Sequence, residues 1–417
     1  MVDLSVELEQ HLDKDGAIEL LRGAVQAHSI TGNEANFVAY LSDKMHTLDL
    51  APIIEEFAEG RPNIFGKKAG SGDDNNLLFV GHTDTVHVDG WREKWAGDER
   101  ENPFSGALID GEIWGRGTGD LKGGICTALA AMALIDAAGI KLKGDVSFAF
   151  VGDEESGEEG SGVSAGIDHL TKSPAFLENH KPDFAIYVEP TQLQVFPAQM
   201  GFFIADIHIT GKSAYFGVPE QGVDALKAGH KVLSEIWTLS ERMAMSANHD
   251  LVGNAFILVT EINGGGYIAV PGECKLSLIC KILPGQTLNE AVRQLEHAIG
   301  LGIDGTGCRS SIQYPAGRDH KYGGTPTDIA PSLMPITQLS EILVGKTSLS
   351  GKVSGAPYWS EAPYLIERLG CPTVYCAPGN IANCHTLEER ISVEEYTAGI
   401  LAIAEFIVRY CGANEQH

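Results

Sequence analysis

Positive charge is scarce in this sequence. Its 417 residues include 30 Lys and Arg against 56 Asp and Glu, which gives a formal net charge of −26 at pH 7. Proteins that bind nucleic-acid phosphates or anionic membrane surfaces need clustered Lys and Arg. The composition therefore argues against nucleic acid and membrane as partners, and the surplus of carboxylates is expected mainly to favour solubility.

Paired cysteines and long apolar runs are also missing. None of the eight Cys residues forms a C-x-x-C pair, and no apolar run approaches membrane-spanning length. The first residues, Met1 to Ser5, do not have the pattern of a signal peptide. We therefore expect a cytoplasmic protein whose cysteines are reduced and mostly buried.

The length exceeds what one compact core usually serves, which predicts two domains. Short apolar runs at 77–80, 146–151 and 184–188 are typical of buried strands, and they alternate with helical patterns such as the Ala-rich segment 122–138. This alternation predicts an α/β fold with a mostly parallel sheet flanked by helices.

The middle of the chain has a different pattern. Residues 202–210 alternate apolar and polar side chains, as in a strand with one face in water, and further segments follow in β-α-β-β-α order. This predicts a small α+β domain at 198–313. We expect it to be inserted into a discontinuous domain formed by 1–197 and 314–417.

Side chains that bind metals or transfer protons follow the predicted strands of the first domain. Together with one histidine in a late loop, the candidates are His82, Asp84, Asp120, Glu154, Glu155, Glu189 and His385. Sites in open α/β sheets form at the carboxyl ends of strands, and these residue types suit Zn²⁺. In an H-x-D pair, Asp84 can accept the second ring N–H of a metal-binding His82.

Each candidate also has an ordinary structural explanation. His82 and Asp84 fit a polar pair at a strand end, and Asp120 fits an N-cap of the next helix. The Gly-rich stretch 115–124 suggests a phosphate loop, but it does not have the Walker spacing. The acidic run 153–159 fits a solvated turn.

Five motifs in a fixed order resemble one family of enzymes. They are G-H-T-D-T-V at 81–86, G-R-G-T-G-D-L-K-G-G at 115–124, D-E-E at 153–155, E-P-T at 189–191 and C-H-T at 384–386. The chain resembles, over nearly its whole length, the dinuclear-zinc hydrolases that include acetylornithine deacetylase, succinyl-diaminopimelate desuccinylase, aminoacylase and glutamate carboxypeptidase. The stretch 360–364 is most similar to the acetylornithine deacetylase branch.

The resemblance implies a set of metal ligands. It implies that His82 and Glu189 bind one divalent metal, that Glu155 and His385 bind a second, and that Asp120 bridges them. We expect one or two metals per chain, with Zn²⁺ first and Mn²⁺ or Co²⁺ also compatible with these ligands.

The resemblance also implies roles for two further carboxylates. Asp84 orients His82, and Glu154 is the general base that takes a proton from the attacking water and delivers it to the leaving nitrogen. The inserted domain is implied to serve as a lid and to join two subunits in a homodimer.

The substrate side of the site departs from the family pattern. Tyr215 stands where the family has a histidine that stabilises the oxyanion in a neighbouring subunit's site, and Ala269 stands where it usually has asparagine. Lys281 occupies a position that is often arginine in the family. We therefore hypothesise that Tyr215 binds substrate, and that the substrate lies outside the usual N-acyl-α-amino acids, for example an aromatic one.

The function predicted first is hydrolysis of a C–N bond in a small molecule, as by an N-acyl amino acid deacylase or peptidase. An aminohydrolase that removes an amine from a non-peptide, for example aromatic, carbon is the first alternative. The second is a non-catalytic protein of the same fold that binds a metal or ligand. The complete ligand set, with Glu154 present, argues against this second alternative.

Overall fold

The computed structural model describes residues 4–155 and 161–414. The chain divides into two compact units. The first comprises Met1–Pro197, Ile329–Ser354 and Tyr364–His417, and the second comprises Ala198–Asp328 and Gly355–Pro363.

Strands and helices alternate through both units. The strands are β1 (Ile53–Ala58), β2 (Arg61–Lys68), β3 (Leu77–His82), β4 (Ala107–Ile109), β5 (Glu112–Trp114), β6 (Val146–Val151), β7 (Phe184–Tyr187), β8 (Val195–Gln199), β9 (Gly201–Thr210), β10 (Asn248–His249), β11 (Gly253–Asn254), β12 (Phe256–Gly264), β13 (Glu273–Ile282), β14 (Arg309–Gln313), β15 (Gly323–Gly324), β16 (Thr327–Asp328), β17 (Val353–Ala356), β18 (Thr373–Tyr375) and β19 (Arg390–Ser392). The helices are α1 (Leu4–His11), α2 (Lys14–Gln26), α3 (Ala35–Thr47), α4 (Trp91–Lys94), α5 (Gly123–Ala137), α6 (Ala165–Leu170), α7 (Pro174–Asn179), α8 (Ala225–Ser246), α9 (Leu288–Ile303), α10 (Met334–Leu343), α11 (Ala362–Leu369) and α12 (Val393–Cys411).

The first unit is built on a sheet with the strand order β1-β2-β6-β3-β7-β18-β8. Its four central strands run parallel, while β2 at one side and β8 at the other run antiparallel to their neighbours. Every residue of β3, β6 and β7 is buried, because helices cover both faces of a parallel sheet. The predicted α/β fold with a parallel sheet flanked by helices is confirmed.

Helix α5 is the buried centre of the first unit and packs against α2 and α12. The stretch Thr118–Ala137 is long and apolar enough by composition to cross a membrane, so the expectation that no run approaches that length was wrong. Its most apolar window is 94% buried inside the protein. Core helices of globular proteins have the same composition, so this stretch is weak support for a membrane span.

The second unit is an antiparallel sheet with two helices. Its strand order is β12-β13-β9-β14, with β15 also paired to β9, and α8 and α9 pack together over one face. Alternate residues of β9 are buried, as the alternating pattern predicts. The sequence assigns residues 314–328 and 355–363 to the first domain, but both segments lie in this second unit. In the first of them, β15 hydrogen-bonds to β9.

All eight cysteines are buried, as predicted, and each is a free thiol in the structure. Burial raises the pKa of the thiols of Cys126, Cys280, Cys371 and Cys376 to about 12. These thiols are therefore protonated near neutral pH and are poor nucleophiles and metal ligands.

We predict that Gly124→Ala destabilises the protein. A Cβ at Gly124 would lie 2.1 Å from the carbonyl oxygen of Val188, so α5 would have to separate from the segment that follows β7. Overpacking of this kind costs about 1–3 kcal/mol. Urea unfolding would measure it, with Gly300→Ala as control, because a Cβ at that helical position would have no atom of the described residues within 4 Å other than its own helix backbone and chain neighbours. The control should be stabilised by about 0.5–1 kcal/mol, and equal midpoints for the two variants would contradict the prediction.

Candidate metal centre

Three candidate residues come from neighbouring parallel strands. His82 is the last residue of β3, which lies between β6 and β7. Glu155 follows the end of β6, and Glu189 follows the end of β7. Because the three strands run parallel, their carboxyl ends meet at one edge of the sheet, where these side chains converge.

Two further candidates reach the same place from loops. Asp120 lies in the turn Thr118–Lys122 that leads into α5, and not at the end of a strand of the central sheet, contrary to the expectation from sequence. His385 follows the short 3-10 turn Ile381–Asn383, and its backbone has a φ of 59°.

The five side chains form two groups that share Asp120. Nε2 of His82 lies 3.0 Å from Oδ1 of Asp120 and 3.9 Å from Oε1 of Glu189. Nε2 of His385 lies 3.1 Å from Oδ2 of Asp120 and 2.7 Å from Oε1 of Glu155. Within each group the possible ligand atoms lie within 4.8 Å of one another. The two carboxylate oxygens of Asp120 therefore face different imidazoles, and this residue belongs to both groups.

The charge balance of this cluster fits divalent cations. Asp120, Glu155 and Glu189 are all buried, and buried carboxylates in proximity repel one another unless a cation lies between them. Imidazole nitrogens and carboxylate oxygens are ligands that Zn²⁺ accepts at about 2.0–2.2 Å. The residues present therefore fit one or two divalent metal ions.

Without metal, the carboxylates hold protons on the two histidines. Burial lowers the pKa of His82, but the hydrogen bond to Asp120 and the charges of nearby carboxylates raise it well above its ordinary value. Hydrogen bonds to Asp120 and Glu155 raise the pKa of His385 to about 11. Burial favours protonation of Asp120, but its bonds to the two imidazoles keep the pKa of its carboxyl below the usual range.

Asp84 is placed differently from the expectation. Nδ1 of His82 lies 2.9 Å from the backbone carbonyl oxygen of Asp84, but 3.9 Å from its carboxylate. The carboxylate instead accepts the N–H of Glu155 at 2.9 Å and the hydroxyl of Thr31 at 3.0 Å. The Asp84 backbone therefore orients the imidazole, and its side chain holds the segment that carries Glu154 and Glu155.

The three consecutive acids after β6 have three different environments. The carboxylate of Asp153 accepts backbone N–H groups of the segment 162–165 and forms an ion pair with Arg61 at 2.8 Å. Glu155 belongs to the His385 group, whereas Glu154 is half-buried, with an oxygen within 4.8 Å of ligand atoms of His82 and Glu155. Asp153 is therefore a structural anchor, which leaves Glu154 as the acid–base candidate. The remainder of the acidic run, 156–159, lies outside the described residues.

The phosphate-loop alternative for 115–124 does not fit the hydrogen bonds of that loop. The N–H groups of Gly119 and Asp120 both donate to the carboxylate of Glu389 at 3.0 Å. Glu389 also pairs with Arg116, the second residue of the loop. The donors that a phosphate would need are therefore already occupied by a carboxylate of the protein.

Sequence reasoning assigned no role to Arg116, Lys122 or Glu389. Arg116 and Lys122 lie within the Gly-rich motif, where buried cations beside a candidate ligand are a usable signal. Glu389 had no such signal, because its partners Gly119, Asp120 and Arg116 are 269 to 273 residues away. Burial lowers the pKa of Lys122 to about 7, and its ammonium donates to the carbonyls of Ala24 and Ala27 near the end of α2.

The residues that depart from the family pattern lie in the second unit. Tyr215 and Ala269 are direct partners in an antiparallel bridge, and the Tyr215 side chain is exposed and contacts the ring of Phe216. Lys281 donates to the carbonyl of Val252 at 2.6 Å, so its ammonium already has a partner within the unit.

The chain is similar in sequence to known proteins over most of its length. The profile described as Peptidase family M20/M25/M40 matches residues 78–409. The acetylornithine deacetylase of Vibrio cholerae is 26% identical over 412 residues, which cover 94% of this chain and 98% of the relative.

Solved structures show the same fold. The aminopeptidase PepT of Bacillus cereus superposes with a TM-score of 0.74 at 18% identity, covering 95% of this chain and 100% of that one. The YXEP protein of Bacillus subtilis, described as a dinuclear metal-binding peptidase, has a TM-score of 0.67 at 12% identity, covering 95% of this chain and 98% of that one.

We predict that divalent metals bind this cluster more tightly as the pH rises. His82 and His385 are protonated near neutral pH in the metal-free protein, and each must lose its proton before Nε2 can bind a metal. One proton released per ion corresponds to about tenfold in affinity per pH unit. Calorimetric titration with Zn²⁺ between pH 6 and 8, in buffers of different ionisation enthalpy, would count the protons.

The control for this titration is a histidine outside the cluster. His11→Gln changes an imidazole on α1 and should release as many protons as the wild type. His385→Gln should release fewer. Affinity that does not change with pH would contradict the prediction.

Proposed function

The chain belongs to peptidase family M20/M25/M40, and from that premise we propose that its five-residue cluster binds two divalent metals for hydrolysis of a small amide. Family membership makes the protein a metal-dependent hydrolase of C–N amide bonds. The observation that carries the proposal is the position of Asp120, whose two oxygens face His82 and His385 separately.

We propose Zn²⁺ as the metal, with His82, Asp120 and Glu189 as one ligand group and Asp120, Glu155 and His385 as the other. The buried mixture of imidazole and carboxylate supports this choice, although Mn²⁺ and Co²⁺ accept the same ligands. The description of the B. subtilis relative as a dinuclear metal-binding peptidase supports two positions. Bound metals would act as Lewis acids that polarise the substrate carbonyl and favour ionisation of the attacking water.

Glu154 is the proposed general base. Its carboxylate would take a proton from the water that attacks the amide carbonyl, and would then deliver that proton to the leaving nitrogen as the C–N bond breaks. Two features support this role. The side chain is half-buried beside the cluster. Its two neighbours already have other partners, because Asp153 accepts backbone N–H groups of the turn and Glu155 is hydrogen-bonded to His385.

The proposed substrate class is a small N-acyl amino acid or a related amide. The acetylornithine deacetylase relative supports an acylated amino acid. Nothing in the comparisons favours the two alternatives, an aminohydrolase of non-peptide amines or a non-catalytic binding protein.

We propose that Tyr215 contacts the substrate and shifts its preference away from N-acetylornithine. Its hydroxyl can donate a hydrogen bond, and its exposed ring can stack on an aromatic group. Two departures from the family pattern, Tyr215 and Ala269, pair directly in one bridge, so they change the same patch of the second unit. Lys281, bonded to Val252, offers no ready partner for a substrate carboxylate.

We also propose a cytoplasmic homodimer formed through the second unit. Strand β12 is the edge of its sheet, and it exposes three large apolar side chains, Phe256, Leu258 and Ile262. An edge strand of this kind can pair with the same strand of a second copy. The free, buried cysteines agree with a reducing compartment.

We predict that Glu154→Gln keeps its metals and loses most of its turnover. The substitution preserves the size of the side chain and removes the proton acceptor, which is worth about 10²–10⁴-fold in rate. The measurement is kcat of Zn²⁺-loaded enzyme on a panel of N-acyl amino acids, with metal content by mass spectrometry. Chelated wild-type enzyme should be inactive, and Glu59→Gln, on an exposed turn, should behave as wild type.

Near-normal kcat in Glu154→Gln would remove Glu154 from the mechanism. The variant Asp153→Asn tests whether the neighbouring acid is the general base instead. Because Asp153 anchors the turn, the main effect of its substitution should be a lower unfolding temperature. The kcat of the protein that remains folded should change little.

We predict that Tyr215→Phe lowers kcat/KM on the preferred substrate. If the hydroxyl donates to the oxyanion, the loss is about 10²-fold. Tyr267→Phe is the matched control, because that ring is fully exposed in the same unit. Efficient hydrolysis of N-acetylornithine by the wild type, together with an unaffected Tyr215→Phe, would contradict the proposed role of Tyr215 and leave the metal centre untouched.

A further inference from the structure

A buried ion pair links two of the segments that carry the proposed metal ligands. Nη1 of Arg116 lies 2.5 Å from Oε2 of Glu389, and both side chains are almost fully buried, at 2% and 0% exposure. Neither residue has a role in the chemistry proposed above. Burying two charges is costly, so a pair in this position calls for an explanation beyond stability.

One half of the pair fixes the backbone of Asp120. Oε1 of Glu389 accepts the N–H groups of Gly119 and Asp120, each at 3.0 Å, while Oε2 accepts from Arg116. Charge-assisted bonds of this kind are stronger than bonds between neutral groups. Asp120, whose two oxygens face the two imidazoles, is therefore held in place by the bond from its backbone N–H to Glu389.

The other half of the pair fixes the segment next to His385. Nη2 of Arg116 donates to the carbonyl of Thr386 at 3.1 Å, and its Nε donates to the carbonyl of His87 at 3.2 Å. The guanidinium carbon also lies 5.5 Å from the ring centre of Trp91. These contacts hold the guanidinium at each of its nitrogens and at its face. Only a planar group with several donors can make all of these hydrogen bonds together.

The two imidazoles differ in how much they need such support. His82 ends a strand paired on both sides and is 1% exposed, so the sheet itself holds it. The side chain of His385 is 52% exposed. His385 lies in a loop and has a φ of 59°, a backbone conformation that residues other than glycine rarely adopt. Its distance to Asp120 therefore depends on the loop being held from outside.

We propose that Arg116 and Glu389 are positioning residues that set the separation of Asp120 and His385, and thereby the affinity of the metal position formed by Asp120, Glu155 and His385. The inference rests on the proposed two-metal centre. The position formed by His82, Asp120 and Glu189 depends on the pair less, because the sheet fixes two of its three ligands. Partners of metal ligands commonly change metal affinity by about 10–100-fold when they are substituted.

The test is stepwise Zn²⁺ binding to metal-free protein, measured by competition with a chromophoric chelator, with metal content after equilibration at fixed free Zn²⁺. In Glu389→Gln, one ion should bind with affinity close to that of the wild type and the second should bind about 10–100-fold more weakly. Arg116→Lys, which retains the charge but not the fork of donors, should weaken the second ion in the same direction and by less.

A matched control separates positioning from general loss of an ion pair. Glu112→Gln breaks the pair between Oε2 of Glu112 and Nε of Arg390, 3.0 Å apart, on strands β5 and β19 of the small sheet. It should leave both Zn²⁺ affinities within about twofold of wild type. If Glu389→Gln alone does not fold, the double variant Arg116→Met with Glu389→Gln removes both charges together, and it should show the same selective loss of the second ion.

The Zn²⁺ titration separates the positioning role of Arg116 and Glu389 from the existence of the metal centre. Wild-type protein that binds no divalent ion would overturn the metal centre and the inference together. Two ions in the wild type, with unchanged stepwise affinities in Glu389→Gln, would overturn the inference alone. So would a lower unfolding temperature of metal-free Glu389→Gln with both affinities intact, because that result assigns the pair a purely structural role.

Discussion

Repulsion among buried carboxylates is the constraint on which the rest of this structure depends. Asp120, Glu155 and Glu189 converge at one edge of the sheet, where burial makes their charges costly. Two imidazoles, drawn toward protonation by those carboxylates, offset part of that charge in the metal-free protein. Divalent cations bound there would offset this charge more fully, so an arrangement that is costly for folding would be favourable in a metal-dependent enzyme.

Such a cluster persists only if the surrounding backbone holds it in place. A second set of charged side chains does so without entering the cluster. Asp84 binds the backbone of the acidic turn, Arg61 pairs with Asp153 at the start of that turn, and Arg116 and Glu389 link the Asp120 and His385 segments. The contacts of Asp84, Glu389 and Arg116 join these side chains to the backbone near a ligand, and Asp153, which pairs with Arg61, itself accepts backbone N–H groups. The ligand atoms themselves are left available.

Much of the scaffold could be predicted from local patterns. Strand β6 has the predicted bounds, and α5 differs from its prediction by one residue at each end, because continuous apolar runs bounded by turn formers indicate buried elements. The β1–β2 hairpin had no such signal. Strand β1 lies at the sheet edge with most of its side chains partly or fully exposed, so its sequence has no clear apolar period.

The sequence by itself determined the residue types that can bind metal, their order along the chain and the elements from which most of them emerge, since these depend on local pattern and on motifs. Tertiary structure alone decided how the motifs are used. It gave the His82 ring the carbonyl of Asp84 in place of its carboxylate, made Asp153 an anchor, and brought Glu389 to the amide of Asp120. The first two contacts are short in sequence but depend on how the backbone turns after each strand, and the third joins residues 269 apart. No local periodicity encodes which hydrogen-bond donor a buried carboxylate will meet.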